Sequence, residues 1–141
     1  MDVLTKEQRQ KNMKAIRSRD TKAEIALAKA LWHKGYRYRK NDKTVFGKPD
    51  ITFKRLRIAV FVDSEFFHGK DWENQKHRIK TNRDFWWNKI ESNIKRDNIV
   101  INKLGGDGWK VLRFWDKEIL KNASYCVNKI EEVINYSKNG D

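Results

Sequence analysis

Glu24, Asp50, Asp63 and His68 are the side chains whose types and spacing allow acid–base and metal chemistry in this sequence. Asp50 follows Pro49, the single proline, at the head of the short apolar run Ile51 to Phe53. Proline lacks the N–H a sheet ladder needs and is confined to edges or to a strand's first position, so Asp50 emerges where the sheet begins. With Lys54-Arg55 as a tight connection, Pro49 to Phe53 and Leu56 to Val62 fold back as a hairpin that brings Val62-Asp63 beside Asp50. Asp50, Asp63 and the Val62 carbonyl then converge at one sheet edge, an oxygen-rich set that suits Mg²⁺ with water and phosphate completing its shell. Ordinary loop carboxylates are the competing reading. His68 can reach the same edge as a general acid or base toward water or a leaving oxygen, against the plainer reading of a solvated histidine. Glu24 closes a Thr21-x-x-Glu24 capping box, a structural role in itself, yet a carboxylate at a helix start beside the sheet edge can also orient a water.

The elements that must position these groups follow from pattern. Thr5 to Ile16 reads as a short basic helix, and Lys11, Lys14, Arg17 and Arg19 make residues 1–20 a basic arm. A second helix starts at Thr21, presents Ile25, Ala28 and Leu31 on an apolar face, and stops at Gly35. Tyr36 to Arg39 reads as an edge strand. Ile58, Val60 and Val62 alternate with Ala59 and Phe61, so Leu56 to Val62 is apolar on both faces, as a central strand is. Residues 69–84 read as a polar loop, long enough to be functional or disordered. A helix from Phe85 to Leu104, stopped by Gly105-Gly106, a strand from Trp109 to Trp115 and a closing helix from Lys117 to Tyr136 complete one α/β domain, 1–141, with a mixed sheet flanked by helices. Along the row Trp86, Ile90, Asn93, Asp97, Val100 and Leu104, two polar residues interrupt an apolar stripe. Asn93 and Asp97 need partners there, either Arg96 or a neighbouring loop, or the site itself, which they would support from behind.

Charge narrows the partner. Lys and Arg outnumber Asp and Glu by 32 to 19, a net charge of +13, which points to a polyanion and to affinity driven by counterion release. A ribosome-bound or merely basic protein is the alternative, but six tryptophans exceed what a polycationic tail carries and can stack on bases or wedge between them. The lone Cys126 makes neither an internal disulfide nor a cysteine-cluster zinc site. Without a membrane-length apolar stretch or a signal-peptide core, a reducing, cytoplasmic setting at the nucleoid is expected.

The stretches KNMKAIRSRDTKAE, GKPDITF, AVFVDSEFFHG, FWWNKIESNIKRD and GWKVLRFW resemble, in order and spacing, the very short patch repair (Vsr) endonucleases, which nick DNA beside a T·G mismatch. The resemblance implies a restriction-endonuclease-like fold of the PD-(D/E)xK type, double-stranded DNA as partner and, as further candidates, other DNA repair proteins. It implies Asp50 as a metal ligand, Val62 as the residue lending its carbonyl, His68 as the catalytic histidine and Glu24 as the glutamate of the early helix. Asp63 stands where the family has a histidine, and can add a ligand. Asn93 and Asp97 fall on polar positions of the family. Phe66, Phe67 and Trp86 match the aromatic side chains that enter the duplex, and 69–84 borders the DNA. At the positions of the family's structural zinc stand Glu65, Lys70, Trp72 and Lys117, so no zinc is expected. The reading is a Mg²⁺-dependent DNA endonuclease acting at T·G mismatches. Its alternatives are a Vsr-like nuclease of a restriction or mobile-element system without mismatch specificity, and a DNA-binding module whose nuclease site has decayed.

Overall fold

The computed structural model describes residues 21–139; the basic arm, with Lys11, Lys14, Arg17 and Arg19, lies outside the described residues. Helix α1 spans Lys22–His33 and opens with the capping box read from sequence: Thr21 Oγ1 accepts from the Glu24 N–H, and the Glu24 carboxylate accepts from the Thr21 N–H. Its buried face is Ala23, Leu27, Ala28 and Leu31; Ile25, expected at the centre of that face, is turned outward and 38% exposed. Strands β1 (Arg39–Lys40), β2 (Ile51–Phe53), β3 (Ile58–Asp63) and β4 (Lys110–Trp115) form one mixed sheet in the order β1-β2-β3-β4. The hairpin is as expected, β2 and β3 antiparallel with Ile51 opposite Val60, while β4 runs parallel to β3 with Val62 opposite Phe114. The edge strand begins three residues later than Tyr36, because Tyr36 and Tyr38 turn their rings onto Phe53 instead of entering the ladder.

Between the parallel strands lie α2 (Trp72–Gln75), a 3₁₀ turn (Lys76–Arg78) and the long helix α3 (Arg83–Gly106). Residues 69–84 are therefore structured in part. Trp87 organises them: its Nε1–H donates to the Lys76 carbonyl at 3.0 Å, and its ring meets Trp72 edge-on and receives Lys76 and Arg83 as cations. Helix α3 runs through Gly105-Gly106 and ends on Gly108, where φ is +89°. There the Gly108 N–H reaches the Gly105 carbonyl and the Trp109 N–H the Leu104 carbonyl, the paired bonds of a Schellman cap. The closing helix is split into α4 (Asp116–Lys121) and α5 (Ala123–Asn139), because Asn122 is extended and its side chain caps the Tyr125 N–H.

Both sheet faces are covered. Ile51, Phe53, Ile58, Val60 and Phe114 pack on α1, α4 and α5, and Ala59 and Phe61 pack on Val100 and Leu104 of α3. From Ile58 to Val62 the central strand thus needs apolar residues at every position, as its sequence shows. No helix among the described residues is long and apolar enough to cross a membrane. Gly69 fixes how the turn after β3 meets α3: its φ is +65°, and a Cβ there would lie 2.7 Å from Ile94 Cδ1 and 2.9 Å from Ile90 Cγ2. Gly69→Ala is expected to cost about 1–3 kcal/mol by overpacking and backbone strain, measured as a shift in the denaturant midpoint at unchanged m-value. An unshifted midpoint would contradict this packing.

Candidate active site

The site grows from the end of the hairpin. The β2–β3 ladder closes at Ile51 and Val60, and Pro49, with no N–H, cannot extend it. Beyond that pair the Asp50 side chain takes the ladder's place, Oδ2 accepting from the Val62 N–H at 2.6 Å. Asp50 is buried, and Glu24, 2% exposed, lies against it from the first turn of α1. Burial first, then the hydrogen bond with Glu24, push the Asp50 carboxyl up to about 9. The Val62 N–H opposes this, and the charges of Glu24 and Asp63 add to it. In the absence of a cation the Asp50 carboxyl therefore keeps its proton at neutral pH.

Across β3 a second cluster forms. Asp63, 5% exposed, receives Arg113 of β4 in a two-pronged bridge, Nε to Oδ2 at 2.7 Å and Nη2 to Oδ1 at 3.0 Å. The sequence reading has Asp63 as a metal ligand; in the structure both its oxygens are engaged by Arg113, a partner that carries no motif and that sequence reasoning missed. His68 Nδ1 donates to Asp97 Oδ2 at 2.6 Å and lies 3.8 Å from Asp63 Oδ1. Asp97 Oδ1 is 3.1 Å from Arg113 Nη2. Asp63, His68 and Asp97 present ligand atoms all within 4.8 Å of one another, a group able to hold a cation.

The turn 64–70 that carries His68 is tied down by its own backbone and by α3. The His68 N–H donates to the Ser64 carbonyl, and Asn93 Nδ2 donates to the Phe67 carbonyl at 2.9 Å. The polar pair on the α3 stripe is thereby accounted for, Asn93 holding the turn and Asp97 the imidazole, without Arg96. Phe66, Phe67 and Trp86 are brought together, with ring centroids 5.1 to 6.0 Å apart. Phe66 is exposed, as is Phe85, which stacks edge-on against Trp86 and extends the rim; the run Phe85-Trp86-Trp87 was its signal. Of the residues at zinc-ligand positions, Glu65 and Lys70 pair at 3.2 Å, Trp72 donates to Glu91, and Lys117 is exposed.

A buried carboxylate pair, an imidazole backed by a further carboxylate, and an aromatic rim in a strongly basic chain are the equipment of a nuclease. The family model described as DNA mismatch endonuclease Vsr matches residues 1–74. The chain is 54% identical over 134 residues to the type II nicking enzyme V.NmeDIP of Neisseria meningitidis serogroup C, covering 95% of this chain and 90% of that protein. It is 52% identical to the type II nicking enzyme V.HpaIIP of Haemophilus parainfluenzae, over 95% and 96% of the two chains. With the DNA mismatch endonuclease Vsr of Escherichia coli K12 it shares 36% identity, over 82% and 73%. The chain belongs to the Vsr family of DNA endonucleases.

The raised Asp50 pKa has a sign. Between the ordinary aspartate range and pH 9 the folded chain binds a proton that the unfolded chain has lost, so this group's contribution to metal-free stability falls as pH rises. Asp50→Asn keeps an acceptor for the Val62 N–H and removes that penalty. In EDTA its stability relative to wild type is expected to rise from pH 4 to pH 8 by at least about 1.4 kcal/mol, the equivalent of one pKa unit, by denaturant titration. A difference that does not change with pH would contradict the buried acid pair.

Proposed function

We propose that this chain is a Mg²⁺-dependent endonuclease that nicks one strand of double-stranded DNA beside T·G mismatches, in the cytoplasm at the nucleoid. The observation that carries the reading is the buried Asp50–Glu24 pair at the Val62 backbone. Two hard carboxylates whose burial raises the cost of charge are relieved by a cation, and the adjoining Val62 carbonyl adds a third oxygen, so the donor set fits Mg²⁺. Asp50 and the Val62 carbonyl would hold the ion, with Glu24 beside it to orient a water. Bound there, Mg²⁺ supplies positive charge against the scissile phosphate and the leaving oxygen.

His68 moves the proton. With Nδ1 on Asp97, its Nε2 is the nitrogen left to take a proton from water or to give one to the leaving oxygen, and Asp97 fixes that orientation. Asn93 supports the turn that carries it. Phe66, Phe67 and Trp86, joined by Phe85, would wedge between base pairs, at a stacking cost of a few kcal/mol that is least at a mismatch. Lys11, Lys14, Arg17 and Arg19 of the arm 1–20 and the basic residues of 69–84 would clamp the phosphates. The fold is read as restriction-endonuclease-like, supported by the mixed sheet, the hairpin carrying Pro49-Asp50 and the family.

A second reading has support in the relatives named type II nicking enzymes: a nuclease serving a restriction system, cutting without regard to mismatch. Incubation of supercoiled plasmid and of matched and T·G duplexes with protein in Mg²⁺ or EDTA separates the two. Wild type is expected to nick T·G duplexes in Mg²⁺ alone, with Asp50→Ala and His68→Ala slower by about 10²–10⁴-fold. Equal cutting of matched and mismatched duplexes would favour the restriction reading. Asp50→Ala cutting at the wild-type rate would end the catalytic assignment.

A further inference from the structure

Arg113 has no part in the chemistry proposed above, yet it lies at the centre of the second cluster. It projects from β4 onto the α3 face of the sheet, opposite Phe61 in register, with its guanidinium carbon 4.3 Å from the Phe61 ring centroid. Nε and Nη2 engage both oxygens of Asp63, and Nη2 also meets Asp97. Asp97 in turn holds His68, and His68 approaches Asp63. Nη1 is buried and has no hydrogen-bond partner among the described residues. The cluster lines a cavity of about 490 Å³ between β4, α3 and the turn 64–70, so a small ion has room to reach it.

Two carboxylates and an imidazole within 4.8 Å form a cage that collects a divalent cation when empty. Here the guanidinium already supplies the positive charge, in a planar fork that does not deprotonate. A metal ion entering the cage has to displace Arg113 and leave it half-buried and unpaired beside a second positive charge, which is unfavourable. We infer that Arg113 is a built-in cation: it fills the Asp63–His68–Asp97 cage, bars a metal from it and acts as a positioning residue that holds Asp97 against His68. Metal chemistry is thereby confined to Asp50, Glu24 and the Val62 carbonyl, on the β2 side of β3. The role given to His68 rests on the nuclease reading; the exclusion of metal does not.

Titration of the DNA-free protein with Co²⁺, followed by proton NMR, tests the exclusion. Co²⁺ ligated by an imidazole shifts the exchangeable ring N–H far outside the ordinary spectrum. Wild type is expected to show no such resonance from His68, and at the same Co²⁺ concentrations Arg113→Leu is expected to acquire one, lost again in Arg113→Leu/His68→Ala. The resonance in wild type would overturn the inference, as would its absence in a folded Arg113→Leu. Arg113→Lys, which keeps the charge and the fold but loses the fork, tests positioning: kcat is expected to fall about 10–100-fold with KM for DNA nearly unchanged. Unchanged kcat, or a rise in KM alone, would overturn it. The Co²⁺ readout needs no turnover, so it stands apart from the nuclease reading, whose failure Asp50→Ala reports.

Discussion

Where β2 gives out at Pro49, the Val62 N–H of the central strand still needs an acceptor, and the Asp50 carboxylate provides it at 2.6 Å. The rest of the site is arranged around that bond. It draws a carboxylate into the end of the sheet, where burial and Glu24 make its charge costly. Glu24 is there because the capping box that starts α1 takes a glutamate or glutamine at that helix position, and because the face beginning at Ala23 shares one core cluster with β2 and β3. One residue thus closes a helix and completes an acid pair, so local folding and site assembly are the same event.

On the β4 side of β3 the constraint is electrostatic closure. Asp63, Asp97, His68 and Arg113 form a closed ring of contacts between 2.6 and 3.8 Å, each charged group answered by another. Such a ring is worth having only complete, since removing one member leaves a buried partner uncompensated. Its geometry depends in turn on α3, which supplies Asp97 and, through Asn93 and the close approach at Gly69, the seat for the turn bearing His68. The aromatic rim is built on the same supports, with Phe66 and Phe67 on that turn and Phe85 and Trp86 on the first turns of α3. Proton carrier and wedge are therefore held by one scaffold.

Much of this was legible in the residues themselves. A single proline before Asp50 and the two-faced apolar run of β3 led to the hairpin, the mixed sheet and the meeting of Asp50 with Val62, and the Thr21-x-x-Glu24 box put Glu24 within reach of that edge; Asp63, expected as a further ligand there, is bound by Arg113 instead. Asn93 and Asp97 stood out as polar interruptions of an apolar stripe. Arg113 did not, because in a chain with 32 Lys and Arg one arginine carries no signal until a strand register places it beside Asp63. Ile25 was misplaced because packing on α4 and α5 selected the Ala23–Leu27–Leu31 face over its neighbour. Gly105-Gly106 read as a stop, but a helix end is set by where the left-handed residue falls, here Gly108.

The central claim is that the buried acids at the end of the hairpin hold the ion. If Asp50 keeps its proton in the metal-free protein, Mg²⁺ must expel it on binding. Calorimetric titration of Mg²⁺ at pH 7.5, in buffers of different ionisation enthalpy, reads that proton directly. Release of about one proton per ion bound in wild type, and none in Asp50→Asn, is the predicted result. Mg²⁺ binding without proton release, or undiminished in Asp50→Asn, would contradict it.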